Sequence, residues 1–99
     1  QPIRVNQKQT KKTISKIIDL HIEKIYPEYT IAKDVDILQI QVDYFIKYLN
    51  NKINSNLPYI KIIHGIGEGK LREKIHEILD SYELKYYEQN DGGSTKVML

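Results

Sequence analysis

Three glycines alternate between an apolar run and a helix-like stretch, where Ile62 to Arg72 reads Ile-Ile-His-Gly-Ile-Gly-Glu-Gly-Lys-Leu-Arg. A strand that stops at such a turn leaves the first N–H groups of the next helix unpaired. Together with the positive end of the helix dipole, those groups favour an anion. Gly65, Gly67 and Gly69 let the main chain approach a ligand with no Cβ in the way, so the chemistry this segment suits is phosphate binding. The spacing is neither that of a dinucleotide fingerprint nor that of a nucleotidase P-loop, since Leu71 follows Lys70, and no nucleotide cofactor is expected. Upstream, Asp19 and His21 offer a carboxylate and an imidazole two residues apart near the end of another apolar run, groups suited to proton transfer.

The elements that must position these groups follow from hydrophobic period. Ile14 to Ile22 reads as a first strand, with Ile18, Leu20 and Ile22 on one face and Ile17, Asp19 and His21 on the other. Glu23 to Val35 is a connector whose Pro27 argues against a continuing helix. From about Asp36 to Asn54 the residues Ile37, Leu38, Val42, Phe45, Ile46, Leu49 and Ile53 recur at helical spacing, and Asp34 or Asp36 can cap the start. Tyr59 to His64 reads as an interior strand, and Gly69 to about Tyr82 as a second helix buried through Leu71, Ile75, Ile78 and Leu79. Leu84 to Glu88 and Thr95 to Leu99 complete the set, joined by the turn Asn90-Asp91-Gly92-Gly93. The order βαβαββ, with right-handed crossovers sharing the middle strand, predicts a two-layer α/β sandwich: a mixed four-stranded sheet with two helices on one face. Carboxyl ends of parallel strands line up, so Asp19 and His21 should meet His64 and the glycine turn at one edge of the sheet.

Composition bounds the partners. Ninety-nine residues make one core, and the absence of cysteine excludes disulfides and thiolate metal sites. No apolar run approaches the roughly 20 residues a membrane span needs. The chain begins with Gln1 and shows no signal peptide, so it reads as a soluble fragment of a longer cytoplasmic protein, with no membrane partner. Five of the fifteen basic residues fall in the first sixteen positions, with no acid among them, leaving ten basic residues against thirteen acidic ones in the rest. Residues 1–16 therefore read as a basic linker or tail and 17–99 as the folded domain. A duplex-gripping module would be more basic, so any contact with nucleic acid must be local.

At these residues a family becomes recognisable. Ile18-Asp19-Leu20-His21 resembles the Leu-Asp-Leu-His motif of the small MutS-related (Smr) domain, and Ile63 to Arg72 is similar to its His-Gly-x-Gly-x-Gly-x-Leu-Arg motif. Gly92-Gly93 followed by Val97-Met98-Leu99 resembles its glycine-rich final hairpin. The resemblance spans about Ile17 to Leu99. It departs from the pattern at Ile22, where the family usually has glycine, and at Ser94 and Thr95, where a further glycine is usual. What it implies is a nucleic-acid-directed domain, found alone or at the end of longer MutS-like, ribosome-associated or repeat proteins, several of them endonucleases on DNA or RNA. Asp19 and His21 carry over as catalytic candidates, and His64, Gly65, Gly67 and Gly69 as elements that bind the nucleic-acid backbone.

Other residues have less specific readings. Lys70 and Arg72 can pair with phosphates, although Glu68 and Glu73 partly cancel their field. Tyr26 and Tyr29 can stack on unpaired bases or simply cover the sheet edge. Tyr44, Tyr48, Tyr82, Tyr86 and Tyr87 read as packing residues with a wet hydroxyl, and His76 as a residue on the flank of the second helix. Asp19, His21 and His64 would make a two-histidine, one-carboxylate metal set but lack a third spacing cue, so no cofactor is expected. The sequence leaves open whether hydrolysis calls for Mg²⁺, and whether the target is RNA or branched DNA. It also leaves open a non-catalytic adaptor that docks on RNA or the ribosome, or a protein-interaction module.

Overall fold

The computed structural model describes residues 16–32 and 35–99. The basic tail, except Lys16, lies outside the described residues, as do Ile14 and Ser15 of the expected first strand and Asp34 as a helix cap. Eight elements follow in order: strand β1 (Ile17–Asp19), one-turn helix α1 (Ile22–Ile25), a 3-10 turn (Pro27–Thr30), helix α2 (Ile37–Ile53), strand β2 (Tyr59–Ile63), helix α3 (Lys70–Ser81) and strands β3 (Tyr86–Glu88) and β4 (Ser94–Met98). The first strand is shorter than its apolar run suggests. Ile22, expected on the inner face of a strand, instead opens α1, and the connector winds into two short helical turns on either side of Tyr26.

Local chemistry accounts for the helix ends. Asp36 caps α2, its carboxylate accepting the Gln39 amide at 3.0 Å and satisfying one of the free N–H groups of the first turn. At the far end of α3, Glu83 takes a left-handed conformation (φ 60°) and the Leu84 amide reaches back to the Leu79 carbonyl at 3.1 Å. This closes the helix as glycine usually does, and Leu84 then packs against the core.

The sheet order is β1-β2-β4-β3, with β1 and β2 parallel and the other pairs antiparallel. The last strand therefore inserts between β2 and β3: the two crossovers share β2 as expected, but β3 lies parallel to it one strand further out. Burial explains the order: Ser94, Thr95 and Val97 of β4 are buried and suit an interior strand, whereas β3 leaves Tyr87 and Glu88 exposed and takes the edge. Inward residues of three strands (Ile18, Ile60, Ile62, Val97) join Leu20, Phe45 and Leu49 below α2 and Leu71, Ile75 and Leu79 below α3 in one core. The two long helices thus cover one face of a mixed four-stranded sheet, and among the described residues no element covers the other face. The ends of the α2 stripe, Ile37 and Ile53, lie at the rim and are exposed.

Because Ile62 is fully buried at the centre of this core, Ile62→Ala should destabilise the domain by about 2–5 kcal/mol through lost burial and a residual cavity. Urea unfolding followed by circular dichroism reads this as a lower midpoint.

Candidate functional site

Parallel pairing of β1 with β2 sets Asp19 opposite Ile63, and the Leu20 amide extends the ladder to the Ile63 carbonyl at 2.9 Å. The chain then leaves both strands at the same edge. From α2, the Gln41 side-chain amide donates to the Leu20 carbonyl at 2.9 Å, so the segment just before His21 is tied from both sides. His21 follows as the residue that caps α1.

Asp19 and His21 form a tight pair. One carboxylate oxygen of Asp19 accepts the His21 backbone amide at 3.0 Å and lies 2.7 Å from ring Nδ1. A carboxylate only accepts, so Nδ1 carries the proton and, in the neutral ring, Nε2 carries the lone pair. Partial burial pushes the Asp19 carboxyl up, but it is outweighed by the His21 amide and ring hydrogen bonds and by the charges of His21 and Lys24, which hold it below the usual aspartate value. Asp19 therefore stays a carboxylate and fixes the ring. The free edge of that ring points at the glycine turn: a Cβ on Gly65 would stand 3.1 Å from Nε2. The two motifs, far apart in sequence, meet at one rim as their strand directions predict.

The turn is held by the final hairpin. The Gly93 carbonyl accepts both the His64 and the Gly65 amides at 2.9 Å. Gly93 lies so close to Gly65 that its own Cβ would meet Gly65 backbone at 3.6 Å. The Gly65 amide is thus already used and the Gly67–Glu68 turn folds the Gly69 amide back toward the Ile66 carbonyl, whereas the amides of Ile66, Gly67 and Glu68 have no acceptor among the described residues. Gly69, at φ 84°, caps α3 without a side-chain bond and starts the helix with its N–H groups open. These amides line one wall of a shallow depression of about 300 Å³, bordered across from them by Ile37, Leu38 and Gln41 of α2.

His64 serves the turn from below. It is buried, and its Nδ1 lies 2.9 Å from the Gly65 carbonyl while Nε2 lies 2.9 Å from Thr95 Oγ1. A carbonyl accepts, so Nδ1 donates and Nε2 accepts the Thr95 hydroxyl proton. That leaves the Thr95 oxygen to accept from His76, whose Nε2 is 3.0 Å away and whose ring stacks on Tyr86 at 4.6 Å. One hydroxyl therefore fixes the protonation of two imidazoles and joins β2, α3 and β4. His64 presents no free nitrogen to a ligand. His76, half-buried on the flank of α3, also joins this network, and only its helix position was visible in sequence.

The remaining candidates are less converged. Lys70 is highly exposed and 3.7 Å from Glu68, and Arg72 is 3.7 Å from Glu88 with a guanidinium nitrogen 3.4 Å from where a Gly69 Cβ would sit. Both cations border the depression. No hydrogen bond or ring contact ties the side chains of Tyr26 or Tyr29 to the turn among the described residues. Nor, among those residues, do three histidine, aspartate or glutamate side chains converge as a metal-holding group. Gln41 and Thr95 are the residues that sequence reasoning missed, because each acts through an element distant in the chain.

The Smr domain family profile matches residues 39–99, well over half of the sequence, and the chain belongs to the Smr domain family. Over 92 residues it is 30% identical to the endonuclease MutS2 of Aquifex aeolicus (strain VF5), an alignment covering 89% of this chain and 11% of that protein. So extensive a share of the chain takes in both the Asp19–His21 pair and the glycine turn. The chain spans only about a tenth of that relative's length. No solved structure matches it significantly.

Gly65→Ala should place a methyl group against His21 Nε2 and strain a backbone held at φ 82°. A loss of about 1–3 kcal/mol in unfolding free energy is expected, with displaced His21 ring resonances in NMR spectra. For His76, burial lowers the ring's affinity for a proton, reinforced by His64 and Arg72 and opposed by Glu88 and Asp80. Its folded pKa lies below the ordinary value, so the unfolded chain takes the proton first. The resulting stability is fully present above about pH 6.5 and is lost as pH falls below that toward the folded pKa. His76→Gln, which retains a donor for Thr95, should lose less stability than the parent between about pH 7.5 and about pH 5.5 in urea titrations.

Proposed function

We propose that the domain binds nucleic acid at the glycine turn and hydrolyses a phosphodiester bond there, on RNA or branched DNA. The observation that carries the reading is the His21 ring, anchored through Nδ1 on Asp19 and directed through Nε2 at Gly65. A lone pair so placed can take a proton from an attacking water or a ribose 2′-hydroxyl. The nucleophile's oxygen then bonds to phosphorus, the bond to the leaving oxygen breaks, and that oxygen is protonated from solvent. The open amides of Gly67 and Glu68, with the amino end of α3, are the donors available to the phosphate oxygens. Gly65 has a different part: lacking a Cβ, it makes room for the imidazole.

Family membership and the similarity to an endonuclease support the same reading. The small size of the aligned portion makes it a domain expected to work within a longer chain, where other domains bring the target.

Labelled RNA and DNA hairpins, incubated with the domain with and without Mg²⁺, test the proposal. His21→Ala should slow cleavage by roughly 10²- to 10⁴-fold without altering the circular dichroism melt. Asp19→Asn should also slow it, since the ring then loses the group that fixes its tautomer. Unchanged cleavage by His21→Ala overturns the mechanism, and binding without any turnover by the parent would mark the domain as a docking module.

A further inference from the structure

The face of the sheet that no helix covers is not an ordinary solvated surface. Strand alternation places Tyr59, Lys61 and Ile63 of β2, Lys96 and Met98 of β4, and Lys85 and Tyr87 at β3 on that side. Lys61 is paired in register with Lys96, and Lys96 with Tyr87. The Lys96 ammonium stands 4.3 Å from the centre of the Tyr59 ring, and that of Lys16 stands 5.0 Å from it. Tyr87 is 56% exposed, and its side chain has no hydrogen-bond or ring partner among the described residues. It is not the packing residue its sequence context suggests.

Charge on this face is unbalanced. Neither Lys61 nor Lys96 forms an ion pair among the described residues. The lysines outnumber the carboxylates near them: Asp19, which holds His21, and Asp91, which accepts the Gly93 amide at 2.9 Å and the Ser94 hydroxyl at 3.1 Å and also feels the charge of Lys61. Glu88 is turned the other way, toward Arg72. A domain that is net acidic over residues 17–99 thus gathers lysines and two tyrosine rings on its open sheet face.

We propose that this open sheet face is a binding platform for single-stranded nucleic acid, with Tyr87 and Tyr59 as stacking surfaces and Lys61, Lys85 and Lys96 as phosphate contacts. Rings lying on a sheet can stack only on bases whose faces are free, which a duplex hides. Tyr59 and Tyr87 sit on strands separated by β4 and are offset by two residues along them, in register with Met98 and Lys96 respectively, so they are roughly 12 Å apart, with Lys96 between them. This alternation of ring, cation and ring suits a strand whose bases and phosphates alternate likewise. At the carboxyl end of β1 the same face carries Asp19, which leads to His21. A strand laid across the sheet would therefore be delivered to the glycine turn. The inference rests on the proposed function for its class of ligand, but its residues are separate from the Asp19–His21 pair.

Fluorescence anisotropy with the full chain and short labelled oligouridylate, oligothymidylate and a blunt duplex tests it. The parent should bind one or both single strands more tightly than the duplex, the two single-stranded arms showing whether RNA or DNA is preferred. Tyr87→Ala should weaken that binding about tenfold. Lys61→Gln combined with Lys96→Gln should reduce the slope of log affinity against log salt by about 1.4, the loss of two single-strand phosphate contacts. The Tyr59 and Tyr87 ring resonances should move on titration. All three residues are at least partly exposed, and circular dichroism verifies the fold of each variant. Unmoved ring resonances, unchanged affinity in Tyr87→Ala, or tighter binding of the duplex would each overturn the platform. His21→Ala is expected to lose cleavage and keep this affinity, so failure of the catalytic reading is separable from failure of the platform.

Discussion

The parallel pairing of β1 with β2, three residues long and in a register that sets Asp19 opposite Ile63, is the contact on which the site depends. A slip of one residue would exchange the two faces of β1, exposing Ile18 and turning Asp19 into the core. The register is therefore fixed by the same burial that stabilises the sheet. With Ile18 and Leu20 held inside, Asp19 must face outward, and the chain must leave the sheet where β2 ends. The placement of the Asp19–His21 pair is a consequence of hydrophobic register, reinforced by the Gln41 bond to the Leu20 carbonyl.

A second constraint acts from beneath. The glycine turn would be a poor binding element if its backbone sampled many conformations, yet two of its amides are fixed by Gly93 and its first carbonyl by His64. His64 in turn is oriented by a hydroxyl that also binds His76. Buried polar groups are tolerated when each finds a partner, and here the imidazole–hydroxyl–imidazole chain meets that condition with one consistent assignment of protons. Ser94 and Thr95 follow directly on the Gly92-Gly93 pair. Each supplies a hydroxyl to the hairpin: Thr95 to the two histidines, Ser94 to Asp91.

What the sequence disclosed and what it withheld follow from the range of the interactions. The Asp36 cap, the extent of α2 and α3, and the buried series Leu71, Ile75 and Leu79 depend on neighbours a few residues away, and periodicity shows them. The meeting of Asp19–His21 with the glycine turn was legible because parallel strands leave little choice of edge. The place of β4 between β2 and β3 was not, since strand order depends on which strand buries more of its surface. The Thr95 node was hidden for a similar reason: nothing near His76 in the chain marks the hydroxyl it meets. Glu83 concealed the end of α3, because a left-handed residue there is usually glycine. Tyr87 could be assigned to a surface only once the helices were known to cover the opposite face.

Charge is divided between two ranges. At the turn, Lys70 lies near Glu68 and Arg72 near Glu88, so the attraction for a phosphate comes mainly from oriented amides and the end of a helix. Such a field fades within about one helical turn and cannot draw a ligand from a distance. The lysines on the open sheet face have no paired carboxylates among the described residues, and their field reaches on the order of a Debye length, about 10 Å at 0.1 M salt. A polyanion would thus meet the cationic sheet first and the amide-lined turn second. On the proposed reading, that order is how a domain whose residues 17–99 carry more acid than base would bring a phosphate chain to His21: by a local patch of lysines rather than by the net charge of the fold.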